Sequence, residues 1–404
     1  MPGTRVVRFQ TLDPLASRAG EWDRMARGVP FRSWAWASHW WRHYGDDPRR
    51  TDRKTALFTL GVLDQTDALL GLAPWYVEDS LAEGRVLRFL GTGEVCSDYL
   101  SVLSEPGKED LVSRALADWL SGARTGEDDR PQSRDSDRWD LLELTGVDAE
   151  DAVVGQLAEQ LKARGNTVHR RAGPNCWRIE LPTRWEAYLG RVSKVHRKQI
   201  RRTARAMLAT ERVRAHGVER LEDLPRAQEV LIDLHQRRRI SLGEPGCFAS
   251  SRFTAFHRDV MPDLLRNGQL RLDWLELDGE PMAAEYQLTG SGVVYAYQAG
   301  LNPDALEHSP GRMSHVAMLR RSIKQGYRAL DFLRGDEPYK AHWRAEPRAS
   351  LEIRVVPARA AAQLRHGIWR VGTSVKQWAK SGLRLVGGEN VAVRGEGRGV
   401  SGEE

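Results

Sequence analysis

Along the first half of the chain the apolar positions alternate between a period of two and a period near 3.6, the spacings of strands and helices. Residues 6–12 read as an opening strand and 21–26 as the start of a helix. Residues 31–44 then crowd Trp34, Trp36, Trp40, Trp41 and Tyr44 together, a density that fills a core or walls a pocket, the core reading coming first. Residues 55–62 and 69–77 read as paired strands turning at the polar 64–67, and 86–90 and 99–103 continue a sheet. Helical spacing at 109–120 gives way to a Gly-, Asp-, Arg- and Ser-rich stretch at 121–138, predicted to be a solvated loop. A strand at 139–144, a helix at 152–163 and strands at 167–171 and 176–181 follow.

The second half opens with one long predicted helix, 184–209. Tyr188, Val192, Val195, Gln199, Ala204 and Met207 share one side of it, and Arg191, Lys194, Lys198, Arg201, Arg202 and Arg205 another. Helices at 224–239 and 253–266 come next, the latter stopped at Gly268. A hairpin then runs through 270–277, turns at Asp278-Gly279 and returns through 282–288. The pattern closes with a strand at 293–298, a helix at 310–325 ending at Gly326, and strands at 329–333 and 351–356. Helices, hairpin strands, then strand, helix and strand make an α+β order around mixed sheets. The expected organisation is an N-terminal domain at 1–183, a C-terminal domain at 184–357, and a peripheral helix and tail at 358–404.

Composition sharpens this in four ways. At 404 residues, with 41% hydrophobic and 29% charged residues, the chain suits two packed domains and is neither a disordered polymer nor a membrane bundle. Arg5 and Arg8 interrupt any apolar leader, so a cytoplasmic location is expected. Cys96, Cys176 and Cys247 have no metal-binding or disulfide spacing, and no metal is called for. The net charge of +6 favours anionic partners without choosing among them.

The candidate chemistry gathers in the second half. Ser309 suits an N-cap and Pro310 the first helical position, so Gly311, Arg312 and Met313 would offer N–H groups, and Arg312 a full charge, to a pyrophosphate. The competing reading is an ordinary cap. In the strand at 282–288, Glu285 and Gln287 share a face with Ala283, and two inward polar side chains need a reason. Glu285 suits a general base, or else a buried partner for an arginine. Beyond the strand at 329–333, Tyr339 suits an acid for a leaving thiolate, Asp336 and Lys340 suit acceptor contacts, and Trp343 lies beside them. Tyr339 and Trp343 could equally pack under the last strand.

On these residues the chain resembles the CelD-type, cellulose-biosynthesis-associated branch of the GNAT acyltransferase superfamily. The motifs are Gly279-Glu280-Pro281-Met282-Ala283-Ala284, Val294-Tyr295-Ala296-Tyr297-Gln298-Ala299-Gly300, Ser309-Pro310-Gly311, and Asp331 through Lys340 with Trp343. The likeness runs over about 194–343 and more weakly into the first half, through Pro30-Phe31, Leu72-Ala73-Pro74 and Asp98-Tyr99. It implies two GNAT-like units in tandem, as in the related Fem-type aminoacyl transferases. It also implies an acyl-CoA co-substrate, acetyl-CoA first, held by Gln298, Ala299, Gly300, Ser309, Pro310, Gly311 and Arg312. Glu285, Tyr339 and Asp336 would be catalytic, with Lys340 and Trp343 on an acceptor amine or hydroxyl of a sugar or cell-envelope precursor. The family's pyrophosphate loop is richer in glycine than Ser309-Pro310-Gly311-Arg312. Two alternatives stay open. One is an aminoacyl-tRNA donor contacting the basic face at 191–205; the other is a non-catalytic binder of anionic polymer. A tail helix at 360–383 could lie on an anionic membrane surface or dock on its own protein.

Overall fold

The computed structural model describes residues 3–45, 54–122, 137–208 and 212–365. Most of the solvated loop expected at 121–138, and the tail helix from 366 on, lie outside the described residues. No helix among the described residues is long and apolar enough to cross a membrane.

The fold is α+β with mixed sheets. A four-stranded sheet has the order Arg5–Phe9, Thr59–Leu63, Leu69–Ala73, Leu103–Ser104. A six-stranded sheet has the order Thr55–Leu57, Trp75–Ser80, Gly84–Phe89, Leu141–Asp148, Ser350–Val356, Thr167–Ala172. The seven-stranded sheet of the second half runs Val213–Gly217, Leu270–Leu277, Glu280–Gly290, Val293–Leu301, Ala329–Arg334, Cys176–Glu180, Glu346–Arg348. Its first hairpin turns where expected, with Asp278 and Gly279 both at positive φ, the conformation a two-residue turn demands.

The two halves repeat one device. A strand, a crossover helix and a parallel strand occur as Gly84–Phe89, Glu109–Leu120 and Leu141–Asp148, and again as Val293–Leu301, Pro310–Lys324 and Ala329–Arg334. Each half then takes its next strand from the other. Cys176–Glu180 pairs antiparallel with Ala329–Arg334, while Ser350–Val356 pairs antiparallel with Leu141–Asp148. A division of the chain near 183 therefore leaves each half holding a strand of its neighbour's sheet.

The aromatic segment is core, and it is also the seam between the halves. Trp36 is fully buried, meets Phe256 edge-on at 5.0 Å and Tyr297 at 5.6 Å, and donates from Nε1 to Ser97 Oγ at 2.8 Å. Beside it Tyr99 OH donates to Asp331 Oδ2 at 2.5 Å, and Arg334 Nε to Asp98 Oδ1 at 2.7 Å. Buried polar groups thus find partners across the seam.

Three expectations change. The strands expected at 55–62 and 69–77 each break, at Phe58 and at Pro74, and so serve two sheets. Residues 99–102 are not strand, because Tyr99 takes φ +60°. The long helix at 184–209 is two helices, Trp185–Arg191 and Lys194–Leu208, with Val192 extended between them. Ser193 Oγ accepts from the His196 N–H at 3.3 Å and starts the second. That break resets the helical phase. His196, Ile200 and Thr203 point inward, and Val195, expected inside, is 70% exposed.

Candidate active site

The parallel pairing of Val293–Leu301 with Ala329–Arg334 is short. It runs from Val293 opposite Ala329 to Tyr295 opposite Asp331 and then stops. Both strands continue, so they splay into a wedge. The register against Glu280–Gly290 also shifts here, Tyr286 facing Gln298 and Gln287 facing Ala296. Tyr297 is the extra residue of a bulge, a device that bends a strand and leaves a residue outside the ladder. The Pro310–Lys324 helix starts beyond the end of the first strand and covers this side of the sheet.

Glu285 lies on the helix-facing side and is 7% exposed. Ser314 Oγ, from the first turns of that helix, donates to Glu285 Oε1. Burial pushes the Glu285 carboxyl up to about 7; Asp273 adds to the rise, while the Ser314 bond and Arg271 oppose it. Two residues along the strand, the Gln287 amide is fully buried with neither its oxygen nor its nitrogen hydrogen-bonded. An unmet buried amide costs on the order of 1–3 kcal/mol per group, so a ligand or water is expected to meet it. Arg271, opposite Gln287 in the ladder, is already engaged with Ser322 Oγ and Met318 O.

Tyr339, on the short helix Pro338–His342, is 44% exposed. Its ring lies 5.7 Å from Phe332 and 5.6 Å from His315. Burial of the phenol, with Glu337 and Glu285 nearby, raises its pKa, so it is protonated at neutral pH. His315 donates from Nδ1 to the Gly311 carbonyl at 2.6 Å, leaving Nε2 with its lone pair, and burial holds it neutral with a pKa of about 4. The sequence reading missed Ser314 and His315. Their signal is that both lie within the first two turns of the helix that starts at Pro310, the segment already marked as chemical.

Other expected site residues have different surroundings. Ser309 is in the left-handed region, φ +56°, and makes no side-chain cap; its carbonyl instead accepts from the N–H groups of Arg312 and Met313 at 3.0 and 3.1 Å. Two of the three N–H groups expected to face a ligand are therefore already bonded, although at Gly311 a Cβ would meet nothing nearer than Leu301 Cδ1 at 3.4 Å, which leaves room at the helix start. Pro310 is buried, and Gln298 is half-buried beside the bulge. Ala299 is exposed, but Gly300 is pressed under the Leu224–Ser241 helix, where a Cβ would come within 2.6 Å of His235 N. Asp336 Oδ1 accepts from Asn175 Nδ2 and Trp177 Nε1 at 3.2 and 2.9 Å. Lys340 is 2% exposed, and its ammonium donates to the carbonyls of Leu333, Arg334 and Gly335 at 2.9–3.2 Å. It pins the turn after the strand. Trp343 is buried in the core cluster with Phe332, Val316 and Tyr188, 5.3 Å from His315. Cys247 and Cys176 are inert thiols, burial pushing the former up to about 12 and the latter higher.

The splayed sheet beside the crossover helix thus brings a buried carboxyl that can take up a proton near a phenol that can give one. Residues 194–341 match the profile described as acetyltransferase (GNAT) domain, which takes in the wedge, Glu285, Ser314, His315 and Tyr339. That stretch is a GNAT acetyltransferase domain. Among solved structures, FemX aligns at 10% identity over 86% of this chain and 98% of its own, with a TM-score of 0.56. A conserved protein of unknown function from Bacteroides thetaiotaomicron aligns at 11% identity over 87% and 99%, with a TM-score of 0.50. At these identities the likeness is one of fold. No curated protein sequence matches the chain.

Proposed function

We propose that the chain transfers an acyl group from acyl-CoA, acetyl-CoA first among donors, to an amine or hydroxyl. The observation that carries the reading is the Glu285 carboxyl with its pKa of about 7, buried against Ser314 beside the wedge. The pantetheine arm lies in the wedge between Val293–Leu301 and Ala329–Arg334, and the pyrophosphate rests at the open start of the Pro310 helix, near Gly311 and the Arg312 guanidinium. The acceptor nitrogen or oxygen attacks the thioester carbonyl and its proton passes to Glu285, directly or through water. The carbon–sulfur bond breaks, and Tyr339 gives its proton to the thiolate. A main-chain N–H freed by the bulge at Tyr297 stabilises the oxyanion. Gln287 takes the buried polar end of the acyl group or acceptor. Lys340 and Asp336 support the turn that carries Tyr339, and Trp343 backs His315. A sugar or cell-envelope acceptor, as in the CelD-type branch, fits this site without being required by it.

A second reading has its own support. Lys194, Lys198, Arg201, Arg202 and Arg205 are all exposed, and the fold is that of FemX. An aminoacyl-tRNA donor would place its phosphates on that face. Isothermal titration with acetyl-CoA and longer acyl-CoAs, against dephosphorylated analogues, separates the two. Saturable binding that weakens without the phosphates and is lost in Gly311→Glu, but kept in Gly311→Ala, supports the CoA donor. Failure of every acyl-CoA to bind overturns it and turns the search to aminoacyl-tRNA, where ribonuclease should abolish activity.

A further inference from the structure

We propose that the seam between the halves holds a divalent transition-metal site, suited to zinc, made by His39 and His43 of the Trp34–Tyr44 helix and Asp259 of the Ser251–Arg266 helix. His39 and His43 are four residues apart, so their rings leave the same face of one helix. Asp259 and Asp263 are four apart on the helix packed against it. One ligand atom from each of His39, His43 and Asp259 converges so that all lie within 4.8 Å of one another. His43 Nε2 is 2.8 Å from Asp259 Oδ2, and His39 Nε2 is 2.8 Å from Asp263 Oδ2. Small side-chain rotations bring the ligand atoms to the spacing of about 3.4 Å set by metal–ligand distances near 2.0–2.1 Å.

The donor set selects the metal. Two imidazole nitrogens with carboxylate oxygen suit zinc and its neighbours, whereas magnesium and calcium take shells of oxygen. Asp263 lies outside that trio, 2.8 Å from His39 Nε2; a side-chain rotation would bring it in as the fourth ligand, so that two neutral imidazoles with two carboxylates balance the ion's charge. His39 is 6% exposed, so its lone pair is aimed from the protein interior, while Asp259 and Asp263 leave a path for entry. Among the described residues, the other charged groups bonded to the cluster are Arg42, 3.5 Å from His39 Nδ1, and Arg266, on Asp263 Oδ1. Both are exposed and can swing into solvent. The metal would clamp a helix of the first half to a helix of the second, away from the wedge. It is structural, and the acyl transfer proposed above does not depend on it.

The test uses the full chain, stripped with chelator and titrated with zinc by calorimetry, and separately with cobalt(II) followed by its visible absorption. One equivalent of zinc should bind, thermal unfolding should shift upward with added zinc, and cobalt should give the intense bands of a tetrahedral site. His43→Gln and Asp259→Asn, both partly exposed and able to keep a hydrogen bond, should each weaken zinc by about 100-fold or more, because loss even of a group supporting a ligand costs 10–100-fold. Their melting temperatures without metal should match the stripped wild type. Absence of stoichiometric uptake, or uptake indifferent to both substitutions, overturns the site and leaves two ordinary histidine–carboxylate hydrogen bonds.

Discussion

The Glu285 side chain makes opposite demands on activity and on stability. As a base it must be ionised, so with a carboxyl pKa of about 7 the rate should fall about tenfold per pH unit below 7. Folding acts the other way. Because the folded pKa lies above the unfolded value, burial favours the protonated form, and the stability this contributes at low pH is lost as pH rises through 7. Glu285→Gln should therefore lower kcat by about 10²–10⁴-fold yet leave the protein stabler than wild type at pH 8, by up to about 3 kcal/mol. Turnover and urea unfolding at pH 6 and pH 8 check both signs, and a variant that is inactive and less stable at pH 8 would count against an ionised, buried base. Tyr339→Phe should cut kcat with little change in stability, since its ring stays and its hydroxyl is at the mouth.

At the scale of elements, two glycines near the site have different tasks. Gly300→Ala drives a Cβ to 2.7 Å from Leu234 Cβ and 2.6 Å from His235 N, so the Leu224–Ser241 helix must lift from the sheet. A cost of about 1–3 kcal/mol is expected, read by chemical denaturation. Gly311→Ala meets only ordinary contacts and should be nearly neutral, which leaves Gly311→Glu as a test of binding alone. The elements themselves were largely legible. The hairpin at Asp278-Gly279, the helices Glu109–Leu120 and Ala152–Ala163, and the helix from Pro310 follow from local periodicity and turn residues. The break at Val192 was not, because the apolar and basic stripes on either side nearly line up through it. What ends the first helix is Ser193 capping the second, a choice between two local hydrogen-bonding schemes.

On the scale of the whole molecule, the exchanged strands make the halves one cooperative unit. A chain ending at 349 would lose Ser350–Val356, leaving Leu141–Asp148 and Thr167–Ala172 without their shared neighbour. It should unfold in both halves, seen as loss of protection from hydrogen exchange in each sheet. The polar seam should be as sensitive. Asp331 is fully buried, receives Arg178 Nε at 2.9 Å and Tyr99 OH, and accepts from the Leu333 N–H at 2.7 Å. Burial raises its carboxyl while Arg178 and Tyr99 hold it down, and the carboxylate in turn keeps Arg178 charged. Asp331→Asn leaves that guanidinium uncompensated and should cost about 3 kcal/mol, a loss visible in the midpoint of denaturation.

Local pattern was enough for the α+β class and most of the elements, because period, turn residues and helix starts are set by neighbours along the chain. It pointed to Glu285, Gln287, Tyr339 and Gly311 for the same reason, polar groups standing where the pattern called for apolar ones or an open helix start. Which strand joins which sheet was settled only in three dimensions, since strands far apart in the chain carry the same alternating signal wherever they pair. The tertiary structure also decided that Lys340 turns inward onto three carbonyls, that Gly300 serves a helix, and that His39, His43 and Asp259 converge. Those outcomes depend on distances between segments remote in the chain, and local pattern carries no record of them.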